Sequence, residues 1–211
     1  MHLIVLADDV LKDELTCSGV NENTSIEWIQ DFQEFKQFKD ADGLIDLLFK
    51  PEEKRIELLK EFNSKPVIIN SVDKLSKGAL SNFVRINGWP TMLKRTMIEA
   101  SVLIETLKPI TESIFSSLNR RVQWLPDEPG YISARVIAMI INEAFFALAE
   151  NVSTPQEIDT AMKLGTNYPF GPFEWSEKIG IQKIYSLLKE LSRTNTYYEP
   201  SALLKKAATG I

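Results

Sequence analysis

Pro126-Asp127-Glu128-Pro129-Gly130 separates two stretches of different periodicity, and this break constrains the fold more than any other feature of the chain. Two prolines and a glycine so close together continue neither a helix nor a strand. Before the break, short apolar runs alternate with helical patterns. Strands are expected at His2–Ala7, Ser25–Ile29, Gly43–Phe49, Val67–Ile69, Phe83–Ile86 and Arg95–Glu99, with Arg121–Leu125 as a last edge strand. Helical patterns lie between them: Val10–Leu15, Phe32–Phe38, a helix opened by Pro51, and one around Val102–Leu118 that Pro109 should kink or split. Such alternation predicts a mostly parallel, wound α/β sheet. After the break every pattern is helical. Tyr131–Glu150 is apolar almost all round; Thr154-Pro155-Gln156-Glu157 forms a capping box, and Gly165 is expected to close that helix. Helices at Pro172–Ile179, Ile181–Leu191 and Pro200–Ala208 follow. The expected domains are therefore 1–127 (α/β) and 128–211 (all-α).

Composition narrows the chemistry. A net charge of -5 over 211 residues argues against a sequence-independent grip on nucleic acid, which needs clustered cations. The start, MHLIVLADDV, lacks the basic flank and long apolar core of a signal peptide, and Val136–Ala149 is too short to span a bilayer. The lone Cys17 forms no internal disulfide, which suits a reducing cytoplasm. His2 is the one histidine. Any acid–base chemistry must then use His2, a carboxylate or a lysine, and neither multi-histidine nor thiolate metal sites are expected.

Beyond the break the residues carry a motif series. Pro129-Gly130, Arg135, Asn142-Glu143-Ala144, Ile158-Asp159, Ala161-Met162-Lys163-Leu164-Gly165, Tyr168-Pro169 and Gly171-Pro172 occur in order. In this series the chain resembles the C-terminal helical domain of 3-hydroxyacyl-CoA dehydrogenases, strongly over Pro129–Gly180 and weakly through the first half. The resemblance implies a Rossmann-like first half, NAD as cofactor, an acyl-CoA substrate and a homodimer through the Tyr131–Glu150 helix.

The residues that would carry that chemistry are altered. The family's Gly-x-Gly-x-x-Gly loop falls on Ala7-Asp8-Asp9-Val10-Leu11-Lys12, without a glycine. Asp8 and Asp9 stand at the helix end where a pyrophosphate would sit, and oppose it. Asp31, near the end of the second strand, is the candidate for the family's ribose-binding acid. The family's catalytic His aligns with Val84 and its Glu, twelve residues later, with Thr96, near Glu99; its substrate-binding Asn falls on Ala134. Asn70-Ser71 lies in the stretch Asn70–Leu75 that matches a serine-containing family turn. The helical hairpin that follows the family's second strand is missing. Asn70, Ser71, Asn87, Trp89, Lys94, Arg95 and Asn142 are the candidate pocket residues, with Lys94 and Arg95 as candidates for a CoA phosphate. Tyr168–Pro172 reads as a rigid turn, and Met139, Phe145 and Phe146 as core or dimer surface. The residues favour a protein that has lost NAD binding and hydride transfer and acts as a dimeric scaffold or acyl-CoA-type binder. The alternative is an active NAD-dependent dehydrogenase using Ser71 with Glu99 or Lys94.

Overall fold

The computed structural model describes residues 1–73, 75 and 82–210. It divides into two compact units, Met1–Tyr131 and Ile132–Ile211. The division falls later than the expected 127/128. Asp127 and Tyr131 are tied back to the sheet by Arg85 and Ser101, so the proline-rich break belongs to the first unit.

The first unit is a seven-stranded sheet in the order β2-β1-β3-β4-β5-β6-β7. β1 (His2–Leu6), β2 (Ser25–Ile29), β3 (Gly43–Asp46), β4 (Val67–Asn70) and β5 (Phe83–Ile86) are all parallel. β6 (Met97–Val102) runs antiparallel to β5, and β7 (Arg121–Trp124) lies parallel to β6 as an edge strand. This is the mostly parallel sheet expected from the alternation and the Rossmann-like first half that the resemblance implies. β1, β3 and β4 are almost entirely buried because helices or loops cover both faces. On one face Leu3, Val5, Ile45, Ile68, Val84 and Ile98 pack with Leu15, Ile114 and Phe115. On the other, Ile4, Leu44, Val67 and Ile69 pack with Phe35, Leu58 and Leu59.

Three expectations for this unit change. Pro109 neither kinks nor splits a helix: β6 runs on to Val102, and Pro109 opens α3 (Lys108–Ser117) from its first turn, where a missing N–H costs nothing. The expected strand Gly43–Phe49 stops at Asp46, leaving residues 47–52 as a loop before α2 (Glu53–Lys60). Phe32–Gln37 is a 3-10 helix, the only helical element between β2 and β3, in keeping with the missing hairpin.

The second unit is all helical: α4 (Ser133–Ala149), α5 (Pro155–Thr166), α6 (Pro172–Ile179), α7 (Ile181–Ser192) and α8 (Ala202–Thr209). Thr154 caps α5 through the expected capping box. Gly165 does not close it. The helix runs to Thr166, and Asn167 takes the left-handed conformation, its N–H donating to Lys163 O. Tyr168–Pro172 joins α5 to α6, with Phe170 edge-on to Trp175 at 5.2 Å and Lys178 over its ring at 4.5 Å. Along α4, Ala134, Ile137, Ala138, Ile141 and Phe145 are buried, whereas Val136 and Phe146 are exposed, as is Ile132 just before the helix. No described helix is long and apolar enough to cross a membrane.

Candidate functional site

In an open parallel sheet, ligands sit beyond the carboxyl ends of the strands, where the strand order reverses. Here that point lies between β1 and β3, because the chain leaves β1 for β2 on one side and returns to β3 on the other. Leu6 is in register with Ile29 and Asp46, so Asp8, Asp31 and Asp46 stand along one edge. Asn70 and Asn87 continue that edge at the ends of β4 and β5.

β1 passes into α1 (Asp9–Thr16) through Ala7 and Asp8 alone. Asp8 is the helix cap: its Oδ1 accepts the Leu11 N–H at 2.9 Å, and Asp9 pairs with Lys12 at 3.2 Å. Asp31 caps the 3-10 helix, accepting the Gln33 N–H at 2.8 Å, while Glu34 takes the N–H groups of Gln30 and Asp31. Both acids therefore satisfy local backbone donors.

Asp46 is fully buried and accepts two hydrogen bonds from Arg55 on α2, Nε at 2.7 Å and Nη2 at 2.5 Å. The guanidinium lies over the rings of Phe32 at 5.0 Å and Phe49 at 5.9 Å. Burial pushes the Asp46 carboxyl up to about 6, and Arg55 pulls it back only in part. No sequence motif marks this pair, because it is α2 that places Arg55 beside β3.

At the far end of the edge, Asn70 bridges two loops. Its Nδ2 donates to Leu47 O at 3.1 Å and Gly88 O at 3.2 Å, and its Oδ1 accepts the Gly88 N–H at 2.9 Å. Ser71 Oγ donates to Asp73 O at 2.9 Å. Asn87 Nδ2 donates to Glu99 Oε2 at 2.9 Å, and its Oδ1 accepts the Trp89 N–H at 3.2 Å. Asn87, Glu99 and Trp89 are all buried. Val84 is a core residue of β5, and Thr96 is exposed. The spacing of twelve that the resemblance assigns to a His and a Glu thus joins Asn87 to Glu99, not Val84 to Thr96. Ser71 and Glu99 each bond elsewhere, so these contacts do not form the Ser71–Glu99 pair considered above.

Arg85, on the same strand as Asn87, carries a second buried network. It donates to Asp127 Oδ1 at 2.7 Å and to the carbonyls of Ser71, Val72, Asp73 and Glu128. Tyr131 stacks on its guanidinium at 5.1 Å and shares a 3.1 Å hydrogen bond with Ser101. Burial drives the Tyr131 hydroxyl far above its ordinary range, with Arg85 opposing. Lys94 and Arg95 are exposed on the segment between β5 and β6, and the exposed Arg121 donates its N–H to Thr96 O at 2.8 Å beside them. In the second unit, Asn142 is buried and holds the start of α8, donating to Glu199 O at 3.0 Å and accepting the Ser201 N–H at 2.8 Å. Its amide is used structurally. Among the described residues no group of three or more His, Cys, Asp or Glu side chains is placed to hold a metal ion.

A Rossmann-type sheet is followed along the chain by a set of short helices. Residues 130–209 match the family model of the 3-hydroxyacyl-CoA dehydrogenase C-terminal domain. The chain is similar to 3-hydroxyadipyl-CoA dehydrogenase of Escherichia coli (strain K12), with 44% identity over 91 residues, 42% of this chain and 19% of the relative. It is also similar to the probable 3-hydroxybutyryl-CoA dehydrogenase of Bacillus subtilis (strain 168), with 39% identity over 82 residues, 38% of this chain and 29% of the relative. These matches therefore span less than a third of either relative. Among solved structures, (S)-3-hydroxybutyryl-CoA dehydrogenase PaaH1 from Ralstonia eutropha shares the fold over 99% of this chain and 94% of its own, with a TM-score of 0.73 and 18% identity.

Proposed function

We propose that the chain is a 3-hydroxyacyl-CoA dehydrogenase-like protein that has given up NAD binding and hydride transfer and serves as a dimeric binder of a CoA-type ligand. The observation that carries this reading is the Asp8 carboxylate on the Leu11 N–H. A pyrophosphate needs the free N–H groups and positive end of this helix. Asp8 has already taken an N–H there, and its charge repels the ligand. At an effective dielectric of about 20, like charges ~5 Å apart cost roughly 3 kcal/mol. The residues present do not fit a dinucleotide.

Asn87 supports the same reading. Oxidising a hydroxyl by hydride transfer requires a group that takes the hydroxyl proton, and an amide does not titrate in the working range. Both polar ends of Asn87 are also engaged, with Glu99 and with the Trp89 N–H. The exposed cations Lys94 and Arg95, with Arg121 beside them, supply charge for the phosphates of CoA. The exposed apolar side chains of Val136 and Phe146 on α4, with Ile132 just before it, suit a second copy of the chain. The lone exposed Cys17 suits a reducing cytoplasm.

A thermal-shift panel tests the ligand. A one-site ligand at ~100 times its Kd stabilises by about 2.7 kcal/mol. CoA or acetoacetyl-CoA is expected to raise Tm, and NAD and NADH to leave it unchanged. A shift with NAD, or NADH absorbance rising with 3-hydroxybutyryl-CoA, overturns the reading. Sedimentation tests the assembly: a dimer is expected at micromolar concentration, and Val136→Glu should convert it to monomer by placing a charge in the apolar face. A wild-type monomer at that concentration removes the dimer from the proposal.

A further inference from the structure

We infer that Glu14 is a positioning residue for the segment between β5 and β6 that carries Lys94 and Arg95, an inference resting on the reading of those cations as a CoA-phosphate site. Glu14 lies on α1 and is only 3% exposed, although a carboxylate is among the costliest groups to bury. Both its oxygens accept the Thr91 N–H, at 2.8 and 2.9 Å, and the Leu93 N–H also points to it. Burial raises its carboxyl above the ordinary range, while these N–H groups and the Lys94 ammonium draw it back.

Thr91 occupies the left-handed region, at φ 71° and ψ -9°. A β-branched residue rarely adopts that conformation, so something outside the turn must hold it there. Thr91 is also the first residue of the turn that leads into Met92–Lys94, where Met92 and Leu93 are buried and Lys94 and Arg95 face solvent. The buried Arg120 fastens the same segment from its carbonyl side. Its Nε donates to Leu93 O at 2.9 Å, and its Nη2 donates to Glu14 O at 3.0 Å and Leu15 O at 3.3 Å. The helix that no longer cradles a pyrophosphate thus acts as the support on which the cationic turn is set. Glu14 takes the turn's N–H groups, and Arg120, braced on the carbonyls of α1, takes its C=O.

The test combines amide hydrogen exchange and calorimetry with CoA on the full chain. Glu14→Gln retains the side-chain length but accepts through one oxygen and presents N–H donors to the Thr91 N–H. It is expected to lower protection at Thr91 and Leu93 about tenfold or more while leaving the β-strand amides unchanged. CoA affinity should fall about tenfold, and the loss should be non-additive with that of Lys94→Ala, because the two act through one turn. Where Glu14→Gln does not fold, Glu14→Asp, one methylene too short, should give the same local pattern. Unchanged protection at Thr91 and Leu93 overturns the inference, as does lost protection with full CoA affinity. Absence of CoA binding by the wild-type chain overturns the ligand reading, and with it the role of the turn. The exchange data then report separately whether Glu14 holds the turn.

Discussion

Arg55→Met is expected to cost about 3–5 kcal/mol at neutral pH, because it removes one partner of a buried ion pair and strands the other. Methionine fills similar space between Phe32 and Phe49, so little of the loss comes from packing. What remains is Asp46, fully buried and without the two hydrogen bonds that Arg55 donates. The sign of the pH dependence follows from its titration. Asp46 already titrates at about 6 in the folded chain against 3.8 for a free side chain. A folded pKa above the unfolded one means that the group's contribution is whole below the unfolded pKa and is lost as pH rises through the folded one. In the wild type that loss spans pH 3.8 to about 6. In Arg55→Met the folded pKa moves higher still, and the loss extends through neutrality. Urea melts should therefore find the variant closest to wild type near pH 5 and furthest from it near pH 8. The double variant Asp46→Asn with Arg55→Met should recover most of the deficit, since an amide carries no charge to strand. A deficit of the same size at both pH values, or no recovery in the double variant, shows that the pair does not hold the β3–α2 connection as described.

The parts of the fold that were legible in the sequence are those whose causes are local. The seven strands came from short apolar runs, and the cap of α5 from Thr154 and Glu157 lying three residues apart. The misread elements depended on something further away. Read locally, Val102 begins a helical pattern that Pro109 interrupts, whereas the register with β5 draws Val102 into β6. Gly165 reads locally as a terminator, but Asn167 supplies the left-handed residue, and an exposed glycine before it extends the helix harmlessly.

The candidate site divides in the same way. The acids at the helix end were legible because capping is a local act, and Asp8 caps α1. The Asn87–Glu99 pair was not, because the family's proline-containing motif aligns its first partner with Val84, whereas the pair depends on where β5 ends and β6 begins. Arg85 gave no signal either. Most of its partners are backbone carbonyls from Ser71–Asp73 and Glu128, which side-chain motifs do not encode. Glu14 is the same case seen from the acid side, since its partners are backbone N–H groups more than seventy residues away.

Gly171→Ala is expected to destabilise the helical unit by about 3 kcal/mol or more, through space and not through backbone conformation. Gly171 has φ -75°, which any residue adopts. A Cβ there, however, would overlap Asp159 Oδ1 and Asp159 Cα. The carboxylate can rotate aside, but the Cα belongs to α5 and moves only with the helix. Asp159 also caps α6, its oxygens accepting the Phe173 N–H at 2.8 Å and the Glu174 N–H at 3.1 Å. Gly171 itself donates to Glu174 Oε2 at 3.0 Å. Relieving the clash by separating α5 from α6 thus weakens several hydrogen bonds together, including those at the positive end of α6. Gly165→Ala is the matched control. It lies inside α5 with nothing within 4 Å of its would-be Cβ, so alanine should stabilise by about 0.5–1 kcal/mol. Denaturant melts of the two variants should move in opposite directions from wild type. If Gly171→Ala melts with wild type, α5 and α6 are not packed as closely as Asp159 and Gly171 require. If both variants destabilise equally, contact distance does not distinguish the two glycines.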